Sequence, residues 1–274
     1  MSTAIRVAAV GLVVSLGLVE SAVAATCPDD SVASGTVCMD KYEASVWYVP
    51  PEQEALIDKI QRGTVTLANL LDAGAVQLGL ASGDLAASGC PATGNGCLNV
   101  YAVSIPEVMP ASFNTWFQAA AAARNSLKRL PTNQEWQVAA LGTPDGTPCA
   151  VGTAFRNTGN EPGCVSDVGA FDMVGNLSEK VADWGDLANN CTLWPAAFGG
   201  DLSCVGGPGS GFSNVPGMLL RGGFTGNLAA AGVFAVNAGF DPSFSASSMG
   251  FRCAREGRRG ARRDRDGKGR GSRE

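Results

Sequence analysis

Residues 129–136 read Arg-Leu-Pro-Thr-Asn-Gln-Glu-Trp, and this stretch carries a folding instruction at each end. The residue before a proline avoids helical backbone, so Leu130-Pro131 stops whatever helix precedes it. Thr132 and Glu135 stand at capping-box spacing, in which the hydroxyl and the carboxylate each accept from a backbone amide of the first turn. A helix therefore begins at Thr132, and Gly142 is placed to close it. Upstream, the Ala-rich run from Trp116 to Arg124 predicts a second helix. Further back, Pro51 to Leu80 reads as helical. Leu56, Ile57, Ile60, Leu67, Leu70 and Leu71 recur at helical spacing, Glu52 and Glu54 suit a helix N-terminus, and Gly63 interrupts. Residues 82–97, rich in Gly, Ser, Ala and Pro, predict a loop stapled by two cysteines. Beyond Gly142 regular structure is expected to thin, with short strands at 219–222 and 250–254 and no internal repeat.

The chain has 274 residues, 45% hydrophobic and 16% charged, with 36 Gly and 14 Pro: a loop-rich globule with enough length for a real core. It has no histidine, which excludes His-based triads, His-ligated zinc and the facial iron triad. Residues 26–254 carry 10 basic and 20 acidic side chains, whereas 255–274 carry 9 basic and 4 acidic. A net-negative body argues against nucleic acid on the folded domain, and 255–274 is expected to be a basic, disordered tail. At the N-terminus Arg6, the apolar run Val7 to Val19 and Ala22-Val23-Ala24 have the form of a cleaved signal peptide over 1–25, the alternative being a first core helix or membrane anchor. The protein is thus expected to be secreted or periplasmic, with no transmembrane helix in the mature chain. Its nine cysteines agree, since none form a CxxC pair and eight fall into local pairs, 27/38, 90/97, 149/164 and 191/204. That spacing would staple irregular loops, although connectivity is not fixed by sequence. The odd thiol is Cys253 or another.

Four segments occur in a fixed order: Cys38-Met-Asp-Lys-Tyr-Glu43, then Arg129 to Trp136. Asp172-Met-Val-Gly-Asn-Leu-Ser-Glu179 follows, with Asp183-Trp184 just beyond. The last is Leu220-Arg-Gly-Gly223 leading to Gly250-Phe-Arg-Cys-Ala254. Together they resemble the formylglycine-generating enzyme, or sulfatase-modifying factor, family across residues 26–254. The resemblance implies an α+β, C-type-lectin-like fold, loop-rich and low in regular secondary structure. Read for themselves, Arg129, Glu135 and Trp136 are helix punctuation plus a buried aromatic, and Arg221 and Arg252 are partners for acidic residues.

What the resemblance implies for chemistry divides in two. In copper-using members a thiol pair follows the Arg-Gly-Gly motif, because soft thiolates hold Cu(I). Here those positions fall on Asn227 and Gly232, and Phe224 replaces the serine after Gly-Gly, so copper is not expected. The iron-using branch requires histidine. A Ca2+ site is implied at the carboxylates of Asp172 and Glu179 with the carbonyls of Gly175 and Leu177. The competing reading is a salt-bridged surface loop in which Lys180 neutralises a carboxylate. The resulting expectation is a non-catalytic binding or structural module that presents Phe224, Asn227, Phe234 and Asn237 to an unidentified ligand or protein partner. The alternative is a copper-dependent oxidase acting on protein cysteine. A third possibility, known from some lectin-fold proteins resembling the family, is that residues 224–249 are diversified. A near-copy template of the codons for 219–252 beside the gene would reveal it.

Overall fold

The computed structural model describes residues 26–152, 154–188, 190–206 and 215–257. The expected signal peptide and nearly all of the expected tail lie outside the described residues. In chain order the elements are β1 (Ser31–Ser34), β2 (Val37–Asp40), β3 (Ser45–Tyr48), α1 (Glu54–Arg62), α2 (Leu67–Asp72), β4 (Val76–Leu78), α3 (Asp84–Ala87), β5 (Val100–Val103), α4 (Trp116–Asn125), α5 (Asn133–Ala140), β6 (Ser178–Asp186), β7 (Asn190–Leu193), β8 (Leu202–Gly206), β9 (Pro216–Arg221), β10 (Val236–Phe240), β11 (Met249–Phe251) and β12 (Ala254–Glu256). They form three sheets, ordered β1-β2-β12, β4-β3-β5 and β11-β6-β9-β10-β8-β7. The class is α+β with short elements and long connections, as expected.

The two-residue period of a strand builds the first half. On β3 and β5, Val46, Val100 and Ala102 face one apolar cluster, packed with Ala119, Ala122 and Ala123 of α4. Their neighbours Trp47, Tyr101 and Val103 face the other way, against Leu56, Ile60 and Leu70 of α1 and α2. A third cluster gathers around Trp136 of α5 with Met39, Met173, Val174 and Val181.

Local capping holds where the sequence marked it. The Glu135 amide donates to Thr132 Oγ1 at 3.1 Å and the Thr132 amide to Glu135 Oε2 at 2.8 Å. Glu135 also pairs with Arg129 at 2.7 Å. The helix ends at Ala140, with Leu141 as its cap and Gly142 just beyond at φ +80°.

Two expectations fail. The helical pattern over Pro51 to Leu80 breaks into α1, α2 and the strand β4. Gly63 terminates α1 at φ +72°, and a Cβ there would lie 2.3 Å from Asp30 Oδ1. Nor does regular structure thin after Gly142: the six-stranded sheet lies there, built around the nine-residue β6.

The cysteines pair locally as Cys27–Cys38, Cys90–Cys97, Cys149–Cys164 and Cys191–Cys204. Cys253 is the free thiol, and it is buried. Four disulfides fit an extracellular or periplasmic setting. Among the described residues no helix is long and apolar enough to cross a membrane.

Candidate functional site

The segment Asp172 to Glu179 leads into β6 and is buried, so it is not the surface loop of the salt-bridge reading. Glu179 is 1% exposed, and both its oxygens are occupied. Arg252 donates from Nη2 to Oε1 at 2.6 Å and from Nε to Oε2 at 2.7 Å, while Trp136 Nε1 donates to Oε2 at 2.6 Å. Arg252 also reaches the carbonyls of Asp40 and Phe171. Asp172 sits at φ +57° and accepts the Gly159 amide at 2.7 Å. Burial lifts its carboxyl to about 6. Glu43, fully buried, receives Asn176 Nδ2 and the Leu177 amide. Burial and the neighbouring Asp172 and Glu179 push its pKa well up.

A Ca2+ ion needs six to eight oxygens open towards one point. Here the Arg252 guanidinium stands where Glu179 would need the cation, and Asp172 is turned to Gly159. Among the described residues no group of three or more His, Cys, Asp or Glu side chains is arranged to hold a metal. The set Asp172, Gly175, Leu177 and Glu179 therefore does not fit the ion. Lys180 corrects a second expectation, for it neutralises no carboxylate. It is fully buried, with Nζ donating to Asn114 Oδ1 at 3.2 Å and to the Met249 carbonyl at 3.1 Å. Burial without a counter-charge pulls its pKa down to about 7.

Arg221 likewise finds no carboxylate. It lies 5.0 Å over the Trp136 ring and donates to Gln137 and to the Val233 carbonyl. Burial lowers its pKa to about 10. Gly222, at φ +79°, follows it, and a Cβ there would meet the Met173 carbonyl at 2.6 Å, so the Arg-Gly-Gly turn packs backbone on backbone.

Beyond that turn lies a cleft of about 100 Å³. Its lining draws on five consecutive strands: Met249 from β11, Ser178 from β6, Leu220 from β9, Val236, Asn237 and Phe240 from β10, and Leu202 from β8. Phe224 and Asn227 close it from the 3-10 segment Thr225–Ala230 after β9, Phe224 as its cap and Asn227 within it. Among the described residues no charged side chain lines it. Asn227 accepts the Phe224 amide at 2.9 Å and Asn237 the Gly239 amide at 2.7 Å through their side-chain oxygens. Three of the four surface candidates thus meet in one cleft. Phe234 does not line it, and packs instead with Phe198 at 5.3 Å and Trp194 at 6.4 Å.

The two positions at which the family resemblance looks for thiols are also explicit. Asn227 holds the loop backbone, and a Cβ at Gly232 would lie 2.0 Å from Asp201 Oδ1. Asp201 is fully buried and accepts the Phe234 amide at 2.7 Å. A side chain at 232 and Asp201 in this position exclude one another. Sequence reading missed Asp201 altogether, since an isolated aspartate between Gly200 and Leu202 carries no motif.

Fold and site together define a disulfide-stapled α+β domain with a neutral, largely apolar cleft above a closed ionic core. The profile of the sulfatase-modifying factor enzyme 1-like domain matches residues 31–257, and the chain belongs to that family. No curated protein is matched by the chain. Among solved structures it is similar to the Major Tropism Determinant P3c variant, at 19% identity and TM-score 0.48. The alignment covers 85% of this chain and 54% of that one, so the chain spans about half the length of that protein. It is also similar to CarF, at 14% identity and TM-score 0.41, covering 85% and 93%. PvdO from Pseudomonas aeruginosa follows at 16% identity and TM-score 0.39, covering 85% and 90%.

Proposed function

We propose that this protein is an exported, non-catalytic member of its family, a binding module whose cleft at Phe224, Asn227 and Asn237 receives an uncharged group of a ligand or protein partner. The observation that carries the reading is the state of the thiols. Oxidation of a substrate cysteine through Cu(I) needs two thiolates close together. Eight of the nine cysteines are tied in disulfides, and Cys253 is buried, its thiol pushed well up by burial. A pocket rebuilt from Cys253 with Cys191 or Cys204 would require opening the Cys191–Cys204 bond.

The cleft supports the same reading from the other side. Apolar walls with two amide donors and two serines select a ligand by shape and neutral hydrogen bonds, and offer no acid, base or nucleophile tuned for proton transfer. Its small volume suits one protruding group better than an enclosed cofactor.

The test is incubation of the oxidised full-length protein with a cysteine-containing sulfatase peptide, Cu(I), oxygen and reductant, read by mass spectrometry beside a Cu(I) titration. The expected result is no formylglycine above a protein-free control and no tight copper binding. Turnover that disappears in Cys253→Ala would replace this reading with the oxidase.

A further inference from the structure

Lys180 and Asn114, 66 residues apart and both 0% exposed, meet inside the domain, where Nζ lies 3.2 Å from Oδ1. Lys180 stands on β6 between Leu220 of β9 and Phe251 of β11, walled in by both neighbouring strands. Asn114 immediately precedes Thr115, the N-cap of α4, and its Nδ2 donates to the carbonyls of Ala111 and Ser112, both at 3.1 Å. Lys180 Nζ also faces the carbonyls of Met249 at 3.1 Å and Gly250 at 3.5 Å. Among the described residues no carboxylate pairs with this amine, and burial pulls it down to about 7, so near neutral pH a large share of it is uncharged. An uncharged amine has two hydrogens and one lone pair. The Met249 and Gly250 carbonyls take the hydrogens, and the lone pair is left facing the Asn114 carboxamide.

We infer that Lys180 and Asn114 join in an isopeptide bond after the chain folds. Nζ attacks Cγ, the Cγ–Nδ2 bond breaks, and Nδ2 leaves as ammonia with the proton that Nζ gives up. The product is a secondary amide, and no oxidant, reductant or metal is consumed. A carbonyl bond of about 1.23 Å puts Nζ about 3.4 Å from Cγ on a side-on approach and about 4.4 Å away in line with the carbonyl. Attack distance is about 3–3.5 Å, so a shift of less than about 1 Å suffices. Holding the two groups in contact replaces a slow encounter by an effective concentration of about 10⁵–10⁸ M. The Ala111 and Ser112 carbonyls face the nitrogen that gains positive charge as it departs. Ammonia escapes to solvent, which draws the exchange forward. The bond would enclose α4, α5 and the buried Asp172 to Glu179 segment in one covalent loop and, through Met249, tie down the floor of the cleft. Until it forms, Lys180 is a free amine whose charge follows pH; once linked, it no longer titrates. The inference is independent of the binding-module reading.

The experiment uses the unmutated full chain, folded with its disulfides, incubated for days in mildly alkaline buffer and then reduced, unfolded and digested with trypsin. Mass spectrometry should find the intact chain lighter by one ammonia. Trypsin should no longer cut after Lys180, and one branched peptide should carry both Asn114 and Lys180. The same chain kept in urea throughout should hold its full mass and be cut normally. Because the bond is read in the unmutated protein, no variant has to fold. Full mass with normal cleavage after Lys180 in the folded protein, ammonia lost at a different asparagine, or a link that forms equally in urea overturns the inference.

Discussion

Replacing Glu179 with glutamine keeps the side chain's shape and removes its charge. Arg252, 0% exposed at its side chain, would then be left without its bidentate partner. Breaking one side of a buried, hydrogen-bonded ion pair costs about 3–5 kcal/mol. The lower part of that range is expected, because Glu43 and Asp172 stay close enough to stabilise the guanidinium. In a domain of this size the loss corresponds to a melting temperature lower by roughly 10 °C. Arg252→Met should be the more harmful of the two changes, since it leaves Glu43, Asp172 and Glu179 buried together with no cation. Urea or thermal unfolding with the disulfides intact measures both. Because Arg252 takes the place of a metal at Glu179, Glu179→Gln should leave any Ca2+-induced stabilisation the same size. A destabilisation below about 1 kcal/mol, the reverse order of the two variants, or loss of the Ca2+ response in Glu179→Gln would refute the reasoning.

Lys180 titrates near 7 in the folded chain and at its ordinary higher value when unfolded, so between those values the unfolded state carries the extra proton. Stability should therefore rise from pH 7 to 9 relative to Lys180→Met, by up to about 1.4 kcal/mol per pH unit, and a pH-independent difference in urea unfolding would contradict this. Protein recovered from its native compartment should contain one titratable thiol under denaturing, non-reducing conditions; most of the nine cysteines titrating freely would remove both the disulfide scheme and the case for export.

How far the sequence announces this structure depends on whether the signal is local. The capping box at Thr132 and Glu135 is a three-residue event, and it forms as written. Cysteine pairs 7 to 15 residues apart close small loops, and they too join as their spacing suggested. The strand β6 was illegible because Glu179 and Lys180, adjacent in sequence, are both buried. A strand with charges on each face breaks the apolar alternation by which strands are read. Those charges are tolerated only because Arg252, Trp136, Asn114 and the carbonyl of Met249 converge from distant segments. The calcium expectation failed for the same reason: Asp172 and Glu179 look available until Arg252, more than 70 residues on, is brought against them.

The inward placement of charge also bears on what the cleft can do. Lys128 with Asp40, and Arg252 with Glu179, are satisfied inside the domain, and among the described residues none of these charges lines the cleft. A neutral cleft gains little from long-range attraction and must discriminate by fit, which requires a floor that does not yield. Leu220 and Met249, both under 5% exposed and packed around Met218, provide that floor. The residues that close over it, Phe224 and Asn227, belong to the short, kinked 3-10 segment after β9, and the adjoining Leu228 is 60% exposed. Substitution at such a rim changes what is recognised at small cost to stability, whereas substitution at the floor threatens the fold. On the binding reading proposed above, that division would place specificity in the segment after Arg221-Gly222-Gly223 and rigidity in the motif itself.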